Sequence, residues 1–494
     1  MKRDDIFYNF NLLLISSGAL VIIIFFSQIF RFIIEASFLK ITSFIIYLFF
    51  LYGTLIYIKH RILLYRHFNK VFNRSSALSN FVAGKESPHI AIFVPARNEG
   101  YVIENTIRRL SKMNYPKDKY SIFIIVDERE LKDDVEVFTK TVSEKTSIEM
   151  TKKYNISFVH TIEVPEWYSG VFGSLEKTYK KSTKGRALNY ALLFLNNEPS
   201  WQNVDLIGIL DADGRLDFDV LREVAYNRLS KNSKILQGPV FQISNFKNIT
   251  LTGIAAGLEL GIHHMTELPS KILNDRVQFL AGTNYFIDKD IITKVGGWDQ
   301  DTLVEDAELA IRIYCEYGIK TEWLNSPELE QSPENIKIYT KQRERWARGH
   351  LHLIKYVLNS SLSLHEKINF FKKILFSQTR FLIDFFVPFL AIFLVFNGYL
   401  ADLGNFFQYA SVIFFIASVF IFDLYGFVYR KLTYFMIDKP TKKQKFLLSF
   451  KLFVFMPFFM CIQTVPRIKA LGNFVMSRTV DWYKTERTKE LIIE

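Results

Sequence analysis

Two carboxylates one residue apart close an apolar run near the middle of the chain. The stretch Asp205 to Gly214, DLIGILDADG, reads as a buried strand that ends on Asp211 and Asp213 and then on a glycine. Open α/β sheets collect their ligands at the C-terminal ends of strands. Both carboxylates are thus placed to share a hard cation with oxygen ligands, Mg2+ or Mn2+, and through it a diphosphate. Taken alone, Asp-x-Asp is also an ordinary capped surface turn.

Other polar residues sit at similar strand and helix ends. HIAIFVPA, starting at His89, reads as a first strand and is followed by Arg97, Asn98 and Glu99, with Pro95 inside its end. A second, YSIFIIVDE, ends on Asp127. Lys184 stands just ahead of the helix KGRALNYALLFL, where ammonium and helix N-terminus both favour a phosphate. FLAGTNYFI, Phe279 to Ile287, reads as a strand interrupted by Gly282, which permits close backbone approach, with Thr283 beside it. After Gly296 and Gly297, LVEDAELAIRI opens a helix on Glu305 and Asp306, either as its capping charge or as a functional pair.

QRERWARG, Gln342 to Gly349, completes the set. On a helix Gln342, Arg345 and Trp346 fall at i, i+3 and i+4, so an amide, a guanidinium and an indole share one face. Arg grips phosphate oxygens as a fork, and Trp offers a flat face to sugar C–H groups. Arg343 is rotated about 200° from Arg345. Its conservative replacement is therefore expected to matter little.

The elements that must position these residues alternate strand and helix from His89 onward, the pattern of a mostly parallel, doubly wound sheet. At 494 residues and +12 net charge the chain is long enough for two or three domains, and its apolar residues gather at the ends. Asn11 to Phe30 and Ile41 to Ile58 have the length and composition of a transmembrane hairpin, and Phe381 to Leu400, Phe406 to Tyr429 and Phe446 to Val465 of three further spans. Lys59, Arg61, Arg66, Lys70 and Arg74 follow the hairpin, which places that side in the cytoplasm against anionic lipid. No recognition motif accompanies this basic run, so nucleic acid is not an expected partner.

Five spans put the basic loop Lys442 to Lys445 and the basic tail on opposite sides, against the positive-inside rule. A re-entrant passage at Pro457, or an extra crossing before Met476, would resolve this. Asp384, Asp423 and Lys451 lie within spans, lining a conduit or snorkelling. Cys315 and Cys461 show no metal spacing, and no disulfide is expected.

In order, VPARNE, the Asp-ended second strand, KGRALN, DAD, GTN, GGW, ED and QRERW resemble the membrane-embedded branch of the family 2 glycosyltransferases, which includes cellulose, hyaluronan, chitin and mannan synthases. The resemblance covers His89 to Gly349. It implies a GT-A-like Rossmann-type nucleotide-sugar-binding domain (α/β) between N- and C-terminal transmembrane helices (all-α). With the apolar and basic segments, the expected divisions are 1–75 for the hairpin and basic segment, 76–350 for the cytoplasmic catalytic domain, 351–380 for amphipathic interface helices and 381–494 for the C-terminal helices and tail.

The same resemblance implies that Pro95, Arg97, Glu99 and Asp127 meet the nucleoside, Lys184 and Asp211 the diphosphate, and Asp213 with Asp211 the metal. Asp306 would be the base. Arg345 would assist the leaving group, with Gly282, Thr283, Glu305, Gln342 and Trp346 lining the acceptor and leaving-group side. The expected reaction is inverting, metal-dependent transfer from a UDP- or GDP-sugar to a β-linked polysaccharide, processive and coupled to export through a multi-pass cell-membrane protein. The alternative is a single transfer to a membrane glycolipid. Val304 stands where many relatives carry threonine, and Glu128 follows Asp127 where aspartate or glycine is frequent.

Overall fold

The computed structural model describes residues 55, 57–73, 76–173, 182–247, 249–274, 279–372, 374, 423–436 and 439–476. Its centre is a seven-stranded sheet. Strands β1 (Ile90–Ala96), β2 (Tyr120–Asp127), β3 (Val159–Val164), β4 (Leu206–Ile209), β6 (Ile235–Gln237), β8 (Tyr285–Asp288) and β9 (Thr321–Trp323) lie in the order β3-β2-β1-β4-β8-β6-β9. The first four run parallel. β8 runs antiparallel to both β4 and β6, so the expected mostly parallel sheet carries one reversed strand.

Both faces of the sheet are covered, which is why its strands read as continuous apolar runs. Along β1, Ile90, Ile92 and Val94 face one layer and Ala91 and Phe93 the other, the period-two alternation of a strand. The first layer holds Ile103, Ile107 and Leu110 of α1 (Ile103–Leu110), Met150 of α2 (Thr139–Tyr154) and Val220, Leu221 and Val224 of α4 (Val220–Lys231). The second holds Leu188, Ala191, Leu192 and Leu195 of α3 (Lys184–Asn197) with Leu309 and Ile313 of α6 (Glu305–Tyr317). Each such fully buried Leu, Ile or Val stabilises the fold by about 1.5–3 kcal/mol.

A second sheet of three short strands, β5 (Arg215–Leu216), β10 (Glu328–Glu330) and β7 (Val240–Gln242), stands beside the end of β4. The expected continuous strand Phe279 to Ile287 is shorter than the sequence suggests. Gly282 and Asn284 both have positive φ, so pairing begins only at Tyr285. The segment from Lys234 to Gln242 carries β6 and then β7, which belong to different sheets.

Helix α5 (Leu251–Met265), the 24-residue α7 (Ile336–Asn359) and α8 (Lys442–Val475) pack together on the other side of the small sheet. Asn335 caps α7, its side chain accepting from the backbone N–H of Lys337 and Ile338. Residues 351–359, expected in a separate interface helix, instead continue α7. Leu351, Leu353 and Val357 are buried against Val304, Ala307 and Ile311 around α6 and against Ala470 of α8.

Among the described residues no single helix is long and apolar enough to cross a membrane. α8 meets that description only as a bent pair, Lys442–Met456 and Phe458–Val475, 55° apart. The bend falls at Pro457, which has no N–H to continue the helix. Spans expected at 11–30 and 381–400 lie outside the described residues, as do most of 41–58 and 406–429. Asp423 is described and accepts Arg61 Nε at 2.7 Å and the Tyr57 hydroxyl at 3.0 Å, so it pairs with protein rather than reaching for solvent.

Candidate active site

The chain leaves β4 at Ile209 and turns at once, the N–H of Gly214 closing on the Asp211 carbonyl at 2.8 Å. Gly214 is required there, because a Cβ would run into the Glu328 carboxylate and Leu210. The turn brings carboxylate oxygens of Asp211, Asp213 and Glu330 within 4.8 Å of one another. Three carboxylates so close repel unless a cation or proton compensates them, and their hard oxygens suit Mg2+ or Mn2+.

Glu330 was not singled out in the sequence. Its signal is Glu-Leu-Glu, Glu328 and Glu330 at the two-residue spacing that puts both on one face of β10, matching Asp211 and Asp213 opposite. Glu328 lies behind the triad and accepts the Thr283 hydroxyl at 2.9 and 2.8 Å on its two oxygens. Burial, and next the charge of Glu330, push Glu328 well above the carboxylate range. Thr283 in turn accepts the Asp211 N–H at 3.0 Å. The expected site residues Asp211, Asp213 and Thr283 therefore form one network.

Lys184 opens α3 behind the cap of Thr183, whose side chain accepts the Arg186 N–H. Its Nζ bonds Asp211 and the Gly282 carbonyl, the latter at 2.9 Å. Burial alone would lower its pKa, but Asp211 and then Glu305 outweigh that and raise it. Asp306 stands across Gly282. A Cβ on that glycine would lie 3.3 Å from Asp306 Oδ2. Burial, then the charge of Glu305, raise Asp306 from 3.8 to about 7, although its surface keeps some contact with solvent.

At the end of β2, Asp127 is buried and held on both oxygens. It accepts the Arg129 N–H at 3.0 Å on one, and Arg186 Nη1 at 2.9 Å with Ser182 Oγ at 2.5 Å on the other. Arg186, fully buried, is a partner the sequence reading missed, though it lies two residues beyond Lys184 in KGR. Arg97 forks onto Asp133 at 2.9 and 2.8 Å, and the Glu99 N–H donates to Thr139 at 2.8 Å. Pro95 pairs with Ile125 within the sheet, close to where β1 and β2 end. Pro95, Arg97, Glu99 and Asp127 all lie at or just beyond the C-terminal ends of β1 and β2.

On α7, Arg345 Nη1 donates to the Leu303 carbonyl at 3.2 Å, tying the helix to the residues just before Glu305. Gln342 is buried and Trp346 partly so, on the expected shared face. Arg343 does not stand apart from them. It is buried, donates to Gln342 Oε1 at 2.9 Å and lies 4.3 Å from the Trp346 ring centroid. Arg343 lies three residues before Trp346 and four after Tyr339, spacings that make neighbours on a helix, so its rotation from Arg345 does not take it away from that face.

The family model for "Glycosyl transferase family group 2" matches residues 206–461. The chain is 24% identical to the probable glycosyltransferase YdaM of Bacillus subtilis over 82% of its own length and 88% of that protein's. It is 22% identical to the beta-monoglucosyldiacylglycerol synthase of Synechocystis, over 58% of this chain and 54% of that one. Among solved structures it is similar to the mannosyltransferase PcManGT from Pyrobaculum calidifontis in complex with GDP-Man and Mn2+, at a TM-score of 0.43 and 12% identity, covering 87% of this chain and 99% of that chain. The family match begins at the strand leading to Asp211 and takes in every site residue from there through Trp346, over more than half of the chain; the protein belongs to glycosyl transferase family group 2, enzymes that transfer sugars from nucleotide sugars.

Proposed function

We propose that the chain is an inverting, divalent-metal-dependent glycosyltransferase that takes a sugar from a UDP- or GDP-sugar and adds it, at the cytoplasmic face of the cell membrane, to a growing β-linked polysaccharide. The observation that carries this reading is the arrangement about Gly282. A carboxylate with a pKa of about 7 lies on one side, and a lysine paired with an aspartate of the acidic triad on the other. A base and a set of charges for a leaving group thus flank a backbone segment that carries no side chain.

In this reaction Asp306 takes the proton of the acceptor hydroxyl. The freed oxygen bonds the anomeric carbon from one face while the bond to the diphosphate oxygen breaks on the other, its electron pair leaving with the diphosphate. One displacement turns an α-linked donor into a β-linked product. Lys184 and the Arg345 guanidinium balance the charge that develops on the departing oxygens. A divalent cation held by Asp211, Asp213 and Glu330 would add its own charge to that balance. Asp127, fixed by Arg186, is placed with Glu99, Pro95 and Arg97 to receive the nucleoside, and Glu305, Thr283, Gln342 and Trp346 line the acceptor side.

Residues 76–350 form the catalytic domain in this reading, and the apolar stretches at both ends hold it to the bilayer as a multi-pass protein. Support comes from α8, which exposes Phe446, Leu447 and Phe450 next to Lys442, Lys443 and Lys445, and Phe458 and Val475 farther along. The acceptor has a second reading, a single transfer to a membrane glycolipid, favoured by the similarity to the beta-monoglucosyldiacylglycerol synthase.

Incubating the full chain in membranes with radiolabelled UDP-glucose, UDP-N-acetylglucosamine or GDP-mannose distinguishes these. Label retained at the origin of a gel supports polymer synthesis. Label that partitions with lipid as one discrete species supports the glycolipid. Absence of transfer from every donor overturns both.

A further inference from the structure

We propose that Arg343 is a positioning residue for the acceptor side of the site, and that Glu259 fixes it in place while tying it to the C-terminal helix. The proposal rests on the glycosyltransferase reading above and adds two residues to it, neither of which touches the reacting atoms.

The guanidinium of Arg343 serves several neighbours at once. Its Cζ lies over the Trp346 ring, 4.3 Å from the centroid, and over the Tyr339 ring at 5.2 Å, and its Nη1 donates to Gln342 Oε1 at 2.9 Å. Nη2 reaches the Ala256 carbonyl of α5 at 3.4 Å. A flat, delocalised cation can stack and donate in its own plane together, and a lysine ammonium cannot. Arg343 thus sets the orientation of the two residues that flank Arg345 on the acceptor-facing side of α7.

Glu259 of α5 anchors this group. Its Oε2 takes Arg343 Nε at 3.4 Å and the Tyr339 hydroxyl at 3.2 Å, and its Oε1 takes Arg467 Nη2 at 3.3 Å. Arg467 belongs to α8 beyond the 55° bend. One partly buried carboxylate therefore stands between two guanidiniums from two different helices. Removing its charge leaves those cations facing each other without compensation, which costs far more than the pair itself contributes. A second tie, Asn473 Nδ2 to Glu344 Oε1 at 2.9 Å, keeps the far half of α8 in register with α7.

The test has two arms on the full chain in detergent. The first reads Trp346 alone, as the difference in fluorescence between each protein and the same protein carrying Trp346→Phe, with acrylamide as quencher. Arg343→Lys, Glu259→Gln and Arg467→Gln are each expected to raise quenching of that component by about twofold, as the stacked cation leaves the indole. An unchanged Trp346 component in Arg343→Lys and Glu259→Gln overturns the proposal. This arm needs no turnover, so it survives failure of the catalytic reading.

The second arm measures nucleoside diphosphate release with whichever of UDP-glucose, UDP-N-acetylglucosamine or GDP-mannose the wild type consumes. Arg343→Lys and Glu259→Gln should each lower kcat about tenfold, within the range that small misplacements produce, with donor KM unchanged. The double variant should lose little more than either single one, because the two act as a unit. Additive losses, or an equal fall in donor affinity and thermal midpoint, would assign both residues a merely structural role.

Discussion

The carboxylate of Asp306 lies 3.3 Å from the point where a side chain on Gly282 would begin, and the carbonyl of the same glycine is held by Lys184. Gly282 has φ of +79°, a conformation that costs an L-residue about 1–2 kcal/mol. Gly282→Ala should therefore lower stability and also displace the base. Gly296, at φ +82° with nothing near its missing side chain, supplies the control for backbone strain alone. Gly296→Ala is expected to lower the thermal midpoint yet keep kcat, while Gly282→Ala loses both. Equal kcat in the two variants would separate Gly282 from the chemistry.

Asp306, the base of the proposed reaction, has a pKa of about 7 and so gives a specific pH signature. Burial first and then Glu305 beside it disfavour its ionised form, and Lys184 favours it. Since the base works deprotonated, kcat/KM should rise as pH rises through about 7 and level off above. Asp306→Asn should remove that limb and lower turnover by about 10²- to 10⁴-fold, with nucleoside diphosphate binding retained. The folded state binds this proton more tightly than the unfolded chain, so the stability Asp306 contributes is present below pH 3.8 and lost as pH rises through about 7. Asp306→Asn should accordingly gain more in thermal midpoint over wild type at pH 8 than at pH 4. A pH-independent difference between the two proteins would place the titrating group elsewhere.

The acidic triad predicts the behaviour of Glu330, a residue remote in sequence from the Asp-x-Asp. Asp213→Asn and Glu330→Gln should each weaken Mn2+ binding, read by electron paramagnetic resonance of the bound ion, by roughly tenfold or more, the scale on which even outer partners act. Chelator should stop turnover of the wild type. Asp213 has a second duty, accepting the Gln331 N–H at 2.9 Å and so fixing the end of β10. Glu330→Gln, which keeps shape and that bond, is the cleaner of the two variants. Undiminished Mn2+ affinity in it would remove Glu330 from the ligand set.

What the sequence made legible follows from the kind of packing each residue sits in. Asp127 and Asp211 stand out because strands buried on both faces are unbroken apolar runs, and a carboxylate ending one is conspicuous. Lys184 and Asp306 stand out through helix starts. Glu330 does not, because β10 is three residues long and exists only by pairing with β5 and β7, more than eighty residues earlier. Arg343 shows why a helical wheel reaches only so far. It gives a direction from the axis, and its partner Glu259 and, on the far side of that carboxylate, Arg467 come from helices whose placement no local pattern encodes. The same limit hides that residues 351–359 continue α7, with Leu351, Leu353 and Val357 buried among residues of α6 and α8.

Arg345 and Arg343 should fail in different ways when replaced. Arg345 reaches Leu303, immediately ahead of the Glu305–Asp306 helix start, and the proposed reaction places its fork on the departing diphosphate. Lysine in its place keeps the charge and loses the fork, so Arg345→Lys should lower kcat strongly and weaken binding of the nucleoside diphosphate product. Arg343→Lys disturbs Trp346 and Gln342, which in the proposed reaction line the acceptor side, and should leave product affinity as it is. Calorimetric titration of UDP or GDP into both variants separates them. Equal product affinity in Arg345→Lys and wild type would take that guanidinium off the leaving group and leave it the task seen in the fold, joining α7 to the start of α6.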